Sequence, residues 1–154
     1  MMISFRPASM DDAARLFVWR NDPVTRQFSK RIEPIMFADH LIWLAKQLKS
    51  DKAMIVVAHD AQRSAYVGMY RVDKDKKRGL VSIAIGAEQR GHGYASVLIQ
   101  SAIKGSIAAG LDRLVAEIRE DNGPSLRAFW SEGFRPTRTA GDGFIVLEKE
   151  LVQA

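Results

Sequence analysis

The apolar residues of this chain change their spacing from segment to segment, and the changes predict where strands and helices lie. The segments "AMIVVAHD" and "GLVSIAIG" are continuous apolar runs of strand length, and "SAYVGMYRVD" between them alternates. Short polar turns separate these three segments, which therefore predict an antiparallel meander. Earlier in the chain, "ISFRPAS" also alternates and predicts a first strand.

Four further segments place apolar residues three or four positions apart, the spacing of one face of an α-helix. Ser9 and Asp12 form a capping-box pair at the start of the first helix, and Asp22–Pro23 ends it. The third helix follows the meander and ends at Gly110, and Asn122 N-caps the fourth. The strand "DRLVAEIRE" lies between those two helices, and a hairpin of "FRPTRTA" and "GFIVLEKEL" closes the chain. The predicted order is β-α-α-β-β-β-α-β-α-β-β, an α/β fold.

Length, composition and charge exclude several kinds of site and binding partner. A chain of 154 residues is long enough for one domain with a sizeable core, so we expect a single domain over residues 1–154. The absence of cysteine excludes disulfides, thiolate metal sites and a cysteine nucleophile, and we predict no metal. The net charge of +5 suits a phosphorylated partner, but the aromatic–basic interleaving of nucleic-acid-binding proteins is missing. Without a membrane span or signal peptide, we expect a cytoplasmic protein that binds neither nucleic acid nor membrane.

The segment "EQRGHGYAS" combines an arginine, two glycines and the start of the third helix. Glycine allows close backbone approach, and a helix N-terminus offers unpaired N–H groups, so this segment predicts a phosphate-binding site. A dinucleotide-binding fingerprint would need a third glycine where Ser96 stands, and a P-loop would need Gly-Lys-Ser/Thr, which is absent.

Two motifs about 30 residues apart, "QRGHGYA" and "NGPSLRAFWSEGF", together resemble the GNAT superfamily of acyl-CoA-dependent N-acetyltransferases. The resemblance implies a mixed, mostly antiparallel sheet with helices on both faces, and acetyl-CoA as co-substrate. It also implies that the fourth strand pairs with pantetheine and diverges from the fifth. The implied acetyl-CoA-binding residues lie in the fourth strand, the glycine-containing loop and the fourth helix: Ile83, Ala84, Ile85, Arg90, Gly91, His92, Gly93, Tyr94, Ala95, Asn122, Ser125 and Phe129.

Direct attack of an amine on a thioester needs a base and, for the leaving thiolate, a proton donor. Members of this superfamily often use a fourth-strand carboxylate as base and a last-helix tyrosine as acid, but this chain has Ser82 and Phe129 there. The catalytic candidates are therefore Glu117, His40 and, as proton donor, Ser125, with water or unassisted departure as alternatives. A solvent-facing strand charge is the alternative for Glu117, and a packing histidine the alternative for His40.

The first half of the chain resembles a narrower group, the acetyltransferases that modify amino sugars linked to a nucleotide, as in the pseudaminic acid route. Their pattern of W-R-N followed by H-x-x-W assigns five residues to the acceptor: Trp19, Arg20, Asn21, His40 and Trp43. A peptide N-terminus or a small amine is the alternative acceptor, core packing is the alternative role for the two tryptophans, and a non-catalytic acyl-CoA-binding module is the alternative class. The oligomeric state, including a homodimer, stays open.

Overall fold

A computed structural model describes residues 1–152 and places one seven-stranded sheet between two layers of helices. The strands are β1 (Ile3–Pro7), β2 (Ala53–Asp60), β3 (Ala65–Asp75), β4 (Arg78–Ile85), β5 (Arg113–Arg119), β6 (Arg135–Gly141) and β7 (Phe144–Glu150). The helices are α1 (Ala13–Asn21), α2 (Pro23–Gln27), α3 (Phe37–Lys49), α4 (Tyr94–Ala108) and α5 (Gly123–Ser131). The predicted α/β fold with its mixed, mostly antiparallel sheet is confirmed.

The strands lie in the order β1-β2-β3-β4-β5-β7-β6, so β1 and β6 form the two edges of the sheet. Strands β2, β3 and β4 make the predicted antiparallel meander. The chain then crosses through α4, which is why β5 can lie parallel to β4 while the hairpin of β6 and β7 returns antiparallel.

Helix α2 is an element that the sequence interpretation missed. The side chain of Asp22 accepts a hydrogen bond from the backbone N–H of Thr25 at 3.0 Å, and Pro23 occupies the first helical position. A capping residue followed by proline starts a helix as readily as it ends the preceding one. The Asp22–Pro23 pair does both here, which adds a short helix to the predicted order. The predicted capping box of Ser9 and Asp12 is present and leads through a 3₁₀ turn into α1.

The two faces of the sheet bury separate apolar clusters. One cluster packs α4 and α5 against the sheet and contains Leu98, Ile99 and Phe129. The other packs α1 and α3 against the opposite face and contains Leu16 and Leu44. Since side chains alternate across a strand, each residue of β4 and β5 can be assigned to one of these faces.

Candidate functional site

A cleft opens where β4 and β5 separate. Their parallel ladder runs only from Arg78↔Arg113 to Leu80↔Val115, although β4 continues to Ile85 and β5 to Arg119. A cavity of about 710 Å³ lies where the strands diverge, lined by Ser82 to Ile85 on one side and by Glu117 and Ile118 on the other. The separation leaves backbone groups of both strands free to pair with something other than each other.

The glycine-containing loop forms one end of this cavity. Gly91 and Gly93 both have φ of +80°, and a Cβ at either position would meet nothing within 4 Å. The loop leads into α4, whose first N–H groups have no partner within the helix and carry a partial positive charge. Positive φ therefore favours glycine here, and the free N–H groups with the open space above them suit an anion.

Two side-chain contacts fix the position of this loop. Tyr94, the first residue of α4, is buried and donates a hydrogen bond to Asp60 Oδ2 at 2.7 Å. Burial and this hydrogen bond raise the pKa of Tyr94, so its phenol stays protonated as the donor. Arg90 donates to Asp22 Oδ2 at 2.6 Å, and the loop is thereby tied to the N-terminus of α2.

Helix α5 lines the face of the cleft that lies beside α4. Asn122 N-caps α5 by accepting a 3.4 Å hydrogen bond from the backbone N–H of Ser125, so its amide N–H₂ remains available as a donor. Ser125 and Phe129 also line the cavity. Phe129 is nearly fully buried and packs edge-to-face on Phe134 with ring centroids 5.0 Å apart, so its edge is held firmly in the cavity wall.

The opposite face of the cleft carries the cavity's carboxylate. On β5, Ala116 and Ile118 point into the cluster beneath α4 and α5, so Glu117 between them points to the other face. Glu117 Oε2 contacts the ammonium of Lys30, a residue of the segment that follows α2. The same ammonium lies 5.5 Å from the centroid of the Phe144 ring. A carboxylate and an aromatic face are therefore arranged around one primary ammonium.

The wall of the cavity also holds a buried polar atom without a partner. Within residues 1–152, Gln89 Oε1 is buried and has no hydrogen-bond partner, and Gln89 lines the cavity just before the glycine-containing loop. Leaving such a group unpaired is unfavourable, so an amide N–H of a bound ligand would satisfy it.

The predicted acetyl-CoA residues fall together in this structure, with one exception. The cavity is lined by these predicted residues: Ile83, Ala84, Ile85, Arg90, Gly91, Gly93, Tyr94, Ala95, Asn122, Ser125 and Phe129. His92 is the exception, because it does not line the cavity. Its exposed ring lies 3.2–3.3 Å from Arg63 Nη1 instead. Of the catalytic candidates, Glu117 and Ser125 line the cavity, whereas His40 does not.

His40 lies instead in the packing between α1 and α3, with no exposed surface. Its Nδ1 is 2.8 Å from Arg20 Nη1, and its Nε2 is 2.9 Å from the carbonyl oxygen of Ala13. A guanidinium only donates, so Nδ1 accepts and Nε2–H donates to the carbonyl. Burial lowers the pKa of His40, and the positive charge of Arg20 lowers it further. Both ring nitrogens are occupied by the protein itself.

The remaining predicted acceptor residues do not line the cavity either. Arg20 stacks over the Trp43 ring at 3.8 Å, and burial together with neighbouring Arg71 and Arg31 lowers its pKa to about 10. Asn21 bonds the backbone of Ile35 twice, at 2.7 and 2.9 Å, and so holds the segment after α2 in place. The other member, Trp19, is buried in the cluster beneath α1 and α3.

Several lining residues that the sequence interpretation missed lie on the face that carries Glu117. They come from α2, the segment after it and the start of β7: Val24, Thr25, Phe28, Ser29, Lys30 and Phe144. The sequence interpretation gave the first five no role in the site. Phe144 was accessible in principle, because antiparallel pairing of β5 with β7 places it opposite Arg119, two residues from Glu117.

Two further observations concern metal binding and membrane spanning. Among residues 1–152, no group of three or more His, Cys, Asp or Glu side chains is arranged to hold a metal ion. No helix in the described part of the chain has both the length and the apolar character needed to cross a membrane.

Comparisons with known proteins agree with this geometry. Residues 3–135 match the family model described as "Acetyltransferase (GNAT) domain". The chain is 27% identical over 131 residues to the uncharacterized N-acetyltransferase YfmK of Bacillus subtilis (strain 168), covering 84% of each chain.

Two solved structures share the fold. The spermidine N-acetyltransferase of Vibrio cholerae, in complex with CoA and spermine, superposes with a TM-score of 0.88 at 17% identity, covering 99% of this chain and 97% of that one. A phosphinothricin acetyltransferase from Sinorhizobium meliloti, in complex with AcCoA, superposes with a TM-score of 0.82 at 18% identity. The match covers 98% of this chain and 89% of that one.

Proposed function

This chain belongs to the GNAT acetyltransferase family, and on that premise we propose that it transfers acetyl from acetyl-CoA directly to an aliphatic primary amine. One observation supports this acceptor class above the others: the ammonium of Lys30 lies against Glu117 and the ring of Phe144, in the wall of the cleft. The lysine side chain is itself a primary amine on an unbranched stem. The cleft thus already accommodates a primary ammonium of the kind that we propose for its acceptor.

The position of the loop sets the direction of acetyl-CoA in the cleft. Its pyrophosphate would lie over the backbone N–H groups of Arg90 to Ala95, beyond the end of β4. Pantetheine would then run back along Ile85 to Ile83, with the amide of Asn122 and the unpaired oxygen of Gln89 as further partners. The thioester would end near Ser82, where the two strands begin to separate. Glu117 points from β5 to the face of the sheet opposite α4 and α5.

Glu117 is our candidate for the base. An ammonium must lose a proton before its nitrogen can attack the thioester carbonyl, and a carboxylate in contact with that ammonium can accept the proton directly or through water. Attack forms the C–N bond, and collapse of the tetrahedral intermediate breaks the C–S bond. The leaving thiolate is a fair leaving group because a thiol has a pKa of about 8.5. Ser125 is our candidate to protonate it, since Phe129 has no hydroxyl.

A nucleotide-linked amino sugar remains a less favoured acceptor. The residues assigned to it in sequence, including Arg20, His40 and Trp43, do not line the cavity, and they hydrogen-bond and stack with one another. The aliphatic acceptor needs none of them. The spermidine acceptor named for the Vibrio cholerae protein is an aliphatic amine of the kind proposed.

A panel of amines tests this proposal through release of free CoA thiol. We expect turnover with butylamine and with lysine amide blocked at its α-amino group, which present the same stem and ammonium as Lys30. A lysine-free peptide with a free N-terminus and a nucleotide-linked amino sugar complete the panel. Higher kcat/KM for either of those two than for the aliphatic amines would overturn the proposed acceptor class. No thiol release with any amine, despite binding of acetyl-CoA, would favour a non-catalytic acyl-CoA-binding module.

A further inference from the structure

We propose that Lys30 is itself a substrate of this active site and that its ε-amino group receives an acetyl group from acetyl-CoA bound to the same chain. The inference rests on the proposed function, because it uses the same cleft and the same base. It adds a site of covalent modification at a residue that otherwise only lines the acceptor side of the cleft.

The placement of Lys30 supports this inference in three ways. Its ammonium contacts Glu117, the carboxylate that we assign to proton removal from the acceptor. Glu117 stands two residues beyond Val115, the last residue of β5 that pairs with β4, and so faces the point at which the thioester would end. The Lys30 side chain is 61% exposed, so surrounding atoms do not hold it in one position.

Lys30 differs in this respect from the other lysines. Among the described residues, it is the lysine that lines the cavity. Lys104, for example, is exposed on α4 and lies outside the cavity. Tethering a nucleophile beside its electrophile raises its effective concentration by several orders of magnitude, so reaction at Lys30 should outpace reaction at an untethered surface lysine.

The step balances without any further reactant. The Lys30 ammonium gives one proton to Glu117, and the neutral nitrogen attacks the thioester carbonyl to form the C–N bond. Collapse of the intermediate breaks the C–S bond and releases CoA thiolate, while the nitrogen loses its second proton. The thiolate takes up one proton and the other passes to solvent, leaving an acetamide on Lys30 and free CoA thiol.

The product would change the cleft. An acetylated Lys30 carries no charge, so its ion pair with Glu117 would be lost and the carboxylate would be free to receive the ammonium of an external amine. The alternative is an ordinary surface ion pair, which contributes little to stability and undergoes no reaction.

Mass spectrometry of the full chain incubated with acetyl-CoA tests the proposal. We expect the intact mass to rise by one acetyl group and peptide mapping to place that group on Lys30. The first-order rate at Lys30 should exceed that at Lys104 by on the order of a hundredfold or more. The rate should not change with protein concentration, since donor and acceptor belong to one chain.

Two variants serve as controls. Lys30→Arg keeps a cation beside Glu117 and should abolish the fast gain in mass, leaving only slow acetylation of surface lysines such as Lys104. Glu117→Gln should lower the rate at Lys30 by roughly a hundredfold while leaving slow acetylation of Lys104 unchanged, and an unaltered melting temperature will show that it folds.

Each other result counts against the inference. Equal rates at Lys30 and Lys104, an unaltered rate in Glu117→Gln, or a rate that rises with protein concentration would each overturn it. Turnover of butylamine without acetylation of Lys30 would overturn the inference and leave the proposed function standing. Loss of both reactions would overturn both.

Discussion

Two clusters in this molecule contain the same kinds of side chain and differ in what surrounds them. Beneath α1 and α3, the cation Arg20 touches the base His40 and the aromatic Trp43. On the same face of the sheet, at the cleft, the cation Lys30 touches the base Glu117 and the aromatic Phe144. His40 has no exposed surface, whereas the side chains of Lys30 and Glu117 are 61% and 24% exposed.

The comparison indicates that access to solvent and substrate, rather than residue type, separates a structural cluster from a reactive one. Both nitrogens of His40 are satisfied by Arg20 and the carbonyl of Ala13, so that base has no site left for a substrate. The carboxylate of Glu117 contacts the exposed side chain of Lys30 at the edge of a cavity.

The largest effect should follow Glu117→Gln. Loss of the proton acceptor should lower kcat about 10²- to 10⁴-fold, while the stabilisation by acetyl-CoA remains, because the change leaves the glycine-containing loop intact. Steady-state kinetics and thermal shifts measure the two. Glu120→Gln, at an exposed position just past the end of β5, is the matched control and should retain activity. If Glu117→Gln keeps full kcat, another group removes the proton.

A smaller but still large effect should follow Gly93→Val. The φ of +80° is strained for a branched residue, and its side chain would enter the space left for phosphate. We expect acetyl-CoA affinity to fall at least about tenfold, and the thermal shift with acetyl-CoA to shrink accordingly.

Gly110→Val is the control for strain alone. Gly110 has φ of +84° and equally open surroundings, but it lies at the other end of α4. The two variants should lose similar stability, and only Gly93→Val should lose acetyl-CoA binding. Equal loss of binding in both would show that the loop has no special role.

His40→Gln should change stability rather than catalysis. The amide can still accept from Arg20 and donate to Ala13, but the fit will be poorer, and we expect a loss of roughly 1–3 kcal/mol in the free energy of unfolding. Turnover per folded molecule should stay within about twofold of the parent protein. A large fall in kcat with unchanged stability would show that His40 takes part in catalysis.

The same variant should show the effect of pH. Burial holds the pKa of His40 below its ordinary value of 6.5 in the folded state, so below that pH the unfolded chain binds more protons. Stability that is present above pH 6.5 is therefore lost as the pH falls toward the lowered pKa. Urea unfolding at pH 7.5 and 5.5 should show a steeper loss in the parent protein than in His40→Gln, which cannot bind the proton.

Phe129→Tyr should have the smallest effect. The ring is already fixed against Phe134, so only one hydroxyl is added at the cavity wall, and kcat should change by no more than a few-fold. If the hydroxyl reaches the leaving sulfur, turnover at low pH should rise. A loss of tenfold or more would show that the ring does not border the thioester.

The sequence predicted most of the fold because its signals were local. Apolar runs, caps and helix-ending glycines placed every strand and the four longer helices, and two spaced motifs placed the acetyl-CoA side of the cleft. Helix α2 was missed because Asp22 and Pro23 serve two helices at once. The side of the cleft that carries Glu117 was missed, apart from Glu117 itself, because Lys30 and Phe144 are far apart in sequence and meet only in the folded chain. For His40 the sequence left a catalytic role and a packing role open, since its burial depends on how α1 packs on α3.

The two edge strands of the sheet bear on how this chain behaves at high concentration. An unpaired strand edge invites another chain to extend the sheet, and proline and charged side chains discourage that contact. Strand β1 carries Arg6 and Pro7, and β6, every residue of which is exposed, carries Pro136 between Arg135 and Arg138. Both edges therefore resist β-strand addition, and aggregation through the sheet should be slow even though β4 and β5 diverge at its centre.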